Sequence, residues 1–167
     1  MQVGEAVVYG VHGVCKITGT EQRTEGGKRQ AYLVLEPVYQ RGSRFLVPAD
    51  NDAVLRKIVP LLPPQDMQSL LASAAVHKDC WIADENRRKQ EYKNLVASGN
   101  RESLLAMLYT LYRNQRQQRA LGRRCHICDE RFLNDTEKEF AEEIAYAMGM
   151  EVEQARLHLR AALSESA

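Results

Sequence analysis

The stretch VLRKIVPLLPPQDM, residues 54–67, divides the chain into two different kinds of sequence. Three of the five prolines fall within it, at Pro60, Pro63 and Pro64, and none follows. Proline has no N–H to give to a sheet and breaks a helix interior, but it fits the first turn of a helix, where its N–H would have no partner. The β-type pattern therefore stops near residue 60 and a helix starts at Pro64. Upstream, short apolar runs rich in β-branched residues are punctuated by glycines, which predicts strands over residues 3–9, 13–22, 29–35, 44–47 and 54–58. Glu25-Gly26-Gly27-Lys28 supplies the positive-φ freedom that a hairpin needs. Five short antiparallel strands in sixty residues make a small barrel or a strongly bent sheet.

Downstream, Leu, Ala, Arg, Glu and Gln dominate, so the expected fold class is α+β: a β-domain over residues 1–60 and an all-α domain of about five helices over 61–167. The helices are predicted over 64–75, 79–97, from 101 onward, from Asn134 or Asp135 to Gly149, and over 151–163. Leu104, Leu105, Leu108, Leu111 and Tyr112 share one face of the third, as an amphipathic helix requires. No run of eighteen apolar residues exists. The opening Met1-Gln2-Val3-Gly4-Glu5 has neither a basic nor an apolar leader region, so the expectation is a cytoplasmic protein without a membrane span.

The net charge of +1 conceals an uneven distribution. Residues 78–124 carry eleven basic and five acidic side chains, a net +6, whereas residues 125–167 carry four and ten, a net −6. The middle segment is thus suited to an anionic partner. Arg87, Arg88, Lys89 and Lys93 cluster in the second helix, preceded by the only tryptophan, Trp81. Arg113, Arg116 and Arg119 form a stripe at three-residue spacing that continues into Arg123 and Arg124, able to meet successive phosphates. Trp81 has two readings, an apolar wedge at a base step and a core anchor. Nothing in the helices resembles a base-reading pattern for the major groove, so DNA contact is expected to be largely sequence-tolerant.

Catalytic signatures are missing: there is no phosphate-cradling glycine loop, no Gly-x-Ser-x-Gly elbow and no His-Glu-x-x-His. The expectation is therefore a protein that is not an enzyme and needs no cofactor. Glu142 and Glu143 are read as part of a solvated acidic helix face. One metal-like set competes with this reading, His77-x-x-Cys80 with Cys125-x-x-Cys128, since two ligand pairs with two-residue spacers suit tetrahedral zinc. Simple packing of the thiols is the alternative.

Residues 3–17, VGEAVVYGVHGVCKI, resemble the opening of CarD/CdnL regulators, whose pattern is V-G-x-x-V-V-Y-x-x-H-G-V-x-x-I. Tyr32-Leu33-Val34-Leu35 and Leu46-Val47-Pro48-Ala49-Asp50-Asn51 are similar to the later strands of that domain, which is shared with the polymerase-interacting module of transcription-repair coupling factors. A looser likeness runs on through Arg87-Arg88, Leu108-Tyr109-Thr110-Leu111-Tyr112-Arg113 and Asp129-Glu130-Arg131-Phe132-Leu133. The resemblance implies a Tudor-like β-barrel that binds the RNA polymerase β subunit, with Arg23, Arg44 and Leu46 at the contact. It also implies that the helical domain touches promoter DNA at the upstream edge of the bubble and stabilises the open complex, without catalysis; the expected oligomeric state is a monomer. Where the family has a tryptophan, two positions before the Arg-Arg pair, this chain has Glu85, and Trp81 lies one helical turn earlier. The competing function is a protein–protein adaptor that never touches DNA.

Overall fold

The computed structural model describes residues 1–164. The last three residues of the acidic segment, 165–167, lie outside it. The chain forms two compact units, Met1–Leu61 and the residues from Leu62 onward.

In the first unit, β1 (Ala6–Tyr9), β2 (Val14–Glu25), β3 (Lys28–Pro37), β4 (Phe45–Pro48) and β5 (Ile58–Pro60) form one antiparallel sheet in the order β4-β3-β2-β1-β5. The β2–β3 hairpin closes on Glu25 opposite Lys28, with Gly26 and Gly27 at φ 57° and 78°. Positive φ at both central positions matches the right-handed twist of the flanking strands, and only glycine takes it without strain. Residues two apart share a sheet face. Val7, Cys15, Ile17, Leu35, Val47 and Ile58 accordingly converge on one side as a buried cluster, with Tyr9, Leu33, Phe45, Val54 and Leu55 packed against it.

Two expectations fail here. The sheet is open, since β4 and β5 stand at opposite edges and do not pair with each other, so the closed barrel is not formed. The predicted strand over 54–58 is instead a single helical turn, α1 (Asp52–Leu55), followed by the short β5. Asn51 explains the turn: its side chain accepts a hydrogen bond from Val54 N at 3.3 Å, capping the helix before the apolar residues begin.

The second unit contains α2 (Pro64–Ala72), α3 (Glu85–Ser98), α4 (Arg101–Ala120), α5 (Ile127–Met148) and α6 (Val152–Ser164). Its core gathers Met67 and Leu71 of α2, Tyr92 of α3, Leu104, Leu105, Leu108 and Leu111 of α4, Phe140 and Ile144 of α5, and Leu159 and Leu163 of α6. Among the described residues no helix is long and apolar enough to cross a membrane. Two helix starts differ from expectation. α3 begins at Glu85 and not near residue 79, because Asp84 caps it through Arg87 N at 2.8 Å and leaves residues 73–84 outside regular helix. α5 begins at Ile127, well before Asn134, with Asp129 and Glu130 in its first turn.

Buried acids hold these helices together. Glu137, 1% exposed, accepts hydrogen bonds from Arg160 at 2.9 and 2.8 Å, from Arg156 at 3.3 Å and from the Tyr112 hydroxyl, joining α4, α5 and α6. Glu143, equally buried, takes two from Arg101 and one from Leu62 N. The solvated-face reading of Glu142 and Glu143 is therefore wrong: both are buried, because this side of α5 packs inward.

Burial pushes the Glu139 carboxyl up to about 7, and the neighbouring Glu143 and Glu142 charges add to the shift. A carboxyl whose folded value lies above its unfolded value of 4.5 takes up a proton on folding, so its contribution is present at acid pH and is lost as pH rises through about 7. Glu139→Gln removes that loss. Thermal unfolding should show the variant more stable than the wild type at pH 8, with the difference shrinking as pH falls and gone only below the unfolded value of 4.5.

Candidate functional site

Each unit presents one surface that gathers residues singled out in the sequence. On the sheet, Glu21 stands opposite Tyr32 and Tyr32 opposite Pro48, while Leu46 pairs with Val34. The pleat therefore puts Glu21, Arg23 and Leu46 on the face turned away from the buried cluster. Arg44, just before β4, joins them: Arg23 Nε donates to Glu21 Oε1 at 3.0 Å and Arg44 Nη2 donates to Glu21 Oε2. The Arg23 hydrogen bond, aided by Arg44, holds the Glu21 carboxyl below the usual carboxylate range. One carboxylate thus aligns two guanidinium groups that stay about half exposed, with N–H groups left over for another molecule.

Beside this triad runs β4, an edge strand whose outer side pairs with no strand among the described residues. Such an edge is a template for strand addition. Its start is braced by an aromatic cluster that sequence reasoning did not place there: the His12 ring lies 4.2 Å from Phe45 and 5.1 Å from Tyr9, with Tyr9 edge-on to Phe45 at 6.0 Å. The Tyr9 and His12 positions stood out in the sequence, but nothing local tied them to a residue more than thirty positions on.

In the helical unit the decisive group is Arg88. It is 2% exposed and donates two hydrogen bonds to Asp129 at the start of α5, at 2.9 and 2.8 Å, and a third to the Ile82 carbonyl at 2.9 Å. Burial works against its charge, but the hydrogen bonds and charge of Asp129 outweigh it and raise the pKa above the usual arginine value. The assignment of Arg88 to DNA contact is thereby corrected: its guanidinium is committed inside the protein. Its face covers Trp81, whose ring centroid lies 4.2 Å from the guanidinium carbon. Trp81 is consequently a surface residue, 39% exposed, stacked on a buried cation.

The segment around Trp81 is tied to α4 as well. Cys80 N donates to Thr110 Oγ1 at 3.0 Å, and Asp79 accepts from Trp81 N at 3.0 Å while pairing with Arg113 Nε at 3.5 Å. Through Asp79 the backbone at Trp81 is therefore tied to Arg113, the first residue of the arginine stripe. Arg113 is partly used up, because Asp79 and the Tyr109 hydroxyl and ring also engage it. Arg87, Lys89, Lys93, Arg116, Arg119, Arg123 and Arg124 are exposed, and none forms an ion pair with a carboxylate of the described residues. They remain available to an anion.

The zinc set does not assemble. His77 has both ring nitrogens at 2.8 Å from carbonyl oxygens, of Ser73 and Ala162, so neither nitrogen faces a metal position. Cys80 packs on α4 against Thr110, whereas Cys125 lies near Asn114, and no group of three or more potential ligands converges among the described residues.

Cutting Asp129 back to alanine strands a buried guanidinium, which costs about 3–5 kcal/mol. Urea unfolding of Asp129→Ala should show that drop in stability, and Trp81 emission should shift as its stacking partner turns to water. Unchanged stability and emission would mean that the pair does not hold this surface.

Residues 1–59 of the 167 match the family model described as the CarD-like/TRCF RID domain. The match takes in the Arg23–Glu21–Arg44 triad, the aromatic brace and the whole of β4. No curated protein matches the chain significantly. A RID domain ties this unit to RNA polymerase and to transcription. Over residues 1–59 the sheet unit of this chain is similar to the CarD-like/TRCF RID domain.

Proposed function

We propose that the protein is a non-catalytic bacterial transcription regulator of the CarD type, acting in the cytoplasm as a monomer. Its sheet unit, which we read as a Tudor-like platform, binds the RNA polymerase β subunit. Its helical unit contacts promoter DNA near the upstream edge of the bubble and stabilises the open complex. The observation that carries the polymerase half is the RID-domain match over a surface that has both an open strand edge and an aligned pair of exposed arginines. Backbone pairing along β4 supplies much of the grip, and Arg23 and Arg44 select an acidic neighbour.

The DNA half is supported by the placement of Trp81. A surface indole stacked on a cation, in a segment tied to an arginine stripe whose members beyond Arg113 have no carboxylate partners among the described residues, has the apolar face and the positive surround that contact with phosphates and an exposed base step requires. Such a surface positions the protein on DNA and reads little sequence.

Pull-down with the isolated polymerase β lobe tests the first half: the full chain is retained, and Arg23→Ala with Arg44→Ala weakens retention by about tenfold. No retention at all sinks the polymerase reading. For the second half, the affinity for a promoter fragment is measured against salt. Replacing Arg116 and Arg119 by alanine should lower the slope of log K against log salt by roughly two, one for each phosphate that an arginine no longer neutralises. If Trp81 fluorescence ignores promoter DNA while the polymerase is still bound, the chain is a protein–protein adaptor.

A further inference from the structure

The turn between α4 and α5, LGRRCHI over residues 121–127, has features that the proposed function does not use. Ile127 is 82% exposed and Leu121 63%, and Ile127 is the most exposed large apolar side chain of the described residues. Neither belongs to the buried cores or is packed against them.

Their exposure does not come from a loose turn. Arg123 N donates to the Gln118 carbonyl at 2.8 Å and Gly122 N to that of Arg119 at 3.0 Å, with Gly122 at φ 68°. These bonds make a Schellman turn, which fixes the way the chain leaves α4. On the other side, Glu130 N donates to the His126 carbonyl at 3.0 Å, which starts α5. Two residues after Ile127, Asp129 is locked onto Arg88, the cation that carries Trp81. Ile127 thus stands two residues before one member of the buried ion pair whose other member stacks on Trp81.

We propose that this turn is a second nucleic-acid contact, in which Ile127, with Leu121, packs against an unstacked base step while Arg123 and Arg124 hold the flanking phosphates. The inference rests on the DNA half of the proposed function and adds new residues to it. Charge selects the occupant. No acidic residue occurs between Glu102 and Asp129, and within that span Arg116, Arg119, Arg123 and Arg124 are exposed and lack carboxylate partners among the described residues. Closely spaced cations without intervening acids match the regular charge of a phosphate backbone. Apolar side chains set among them gain most at a partly unstacked step, where base faces are open.

The test uses the full chain with two DNA probes, a fully paired duplex and the same duplex with a short mismatched bubble carrying 2-aminopurine at its edge. Ile127→Ser is the informative variant, because an exposed side chain can be changed without unfolding the protein. It should bind the bubble about fivefold more weakly, keep the wild-type salt slope and abolish the 2-aminopurine response. Arg123→Gln with Arg124→Gln should instead lower the slope by roughly two. If Ile127→Ser matches the wild type in affinity and 2-aminopurine signal while Arg116→Ala and Arg119→Ala still weaken binding, the insertion is wrong and the DNA reading stands. Failure of the wild type to bind either probe removes both. Loss of polymerase binding by Ile127→Ser in the absence of DNA would make the turn a protein contact and overturn the proposal.

Discussion

The Trp81 surface of the helical unit depends on one buried ion pair, Arg88–Asp129. Taking a guanidinium and a carboxylate out of water is expensive, and in a protein interior the mutual attraction repays it only when geometry is good and the remaining N–H groups are satisfied. Arg88 meets those terms with two hydrogen bonds to Asp129, one to the Ile82 carbonyl and an aromatic face at 4.2 Å. An apolar pair of the same volume would hold α3 to α5 about as well. What it would not do is present a cation to the underside of an exposed indole. The pair gives up stability that hydrophobic packing could supply and gains a fixed Trp81 at the surface.

The sheet unit solves a related problem with exposed charges. Two arginines so close would repel each other, and Glu21 neutralises part of that repulsion while orienting both. Being solvent-exposed, the triad adds little to stability. Its value lies in arrangement, since arginines already aligned lose less freedom on meeting a partner. The open edge of β4 works by the same logic: a closed barrel would have used up its hydrogen bonds internally.

How much of this is legible in the sequence depends on how local each cause is. The β2–β3 hairpin is readable because Gly26-Gly27 determines it within four residues, and the β-to-α change because three prolines sit at one place. The start of α3 is not, because the run after residue 79 has helix-compatible composition, while the cap that sets the boundary, Asp84, is one of several acids able to serve. Arg88 is the instructive error. In sequence it is one of four neighbouring cations, and nothing within α3 sets it apart from Arg87 or Lys89. Its partner lies forty-one residues away on another helix, so only folding separates a committed arginine from available ones.

That separation alters what the charge run means. A net +6 segment looks like uniform attraction, but three of its arginines, Arg88, Arg101 and Arg113, are engaged with Asp129, Glu143 and Asp79. Two of those three carboxylates come from the acidic segment, whose buried members neutralise structural cations and leave the exposed ones uncompensated. The charge asymmetry along the chain thus has a structural part and an exposed part: Asp129, Glu137 and Glu143 fold inward to hold helices, while Arg116, Arg119, Arg123 and Arg124 stay outward to meet an anion. Phosphate contacts made by the second set fade with salt because they are exposed, whereas the Arg88–Asp129 pair under Trp81 does not, because it is buried. The surface keeps its shape under conditions that weaken its grip.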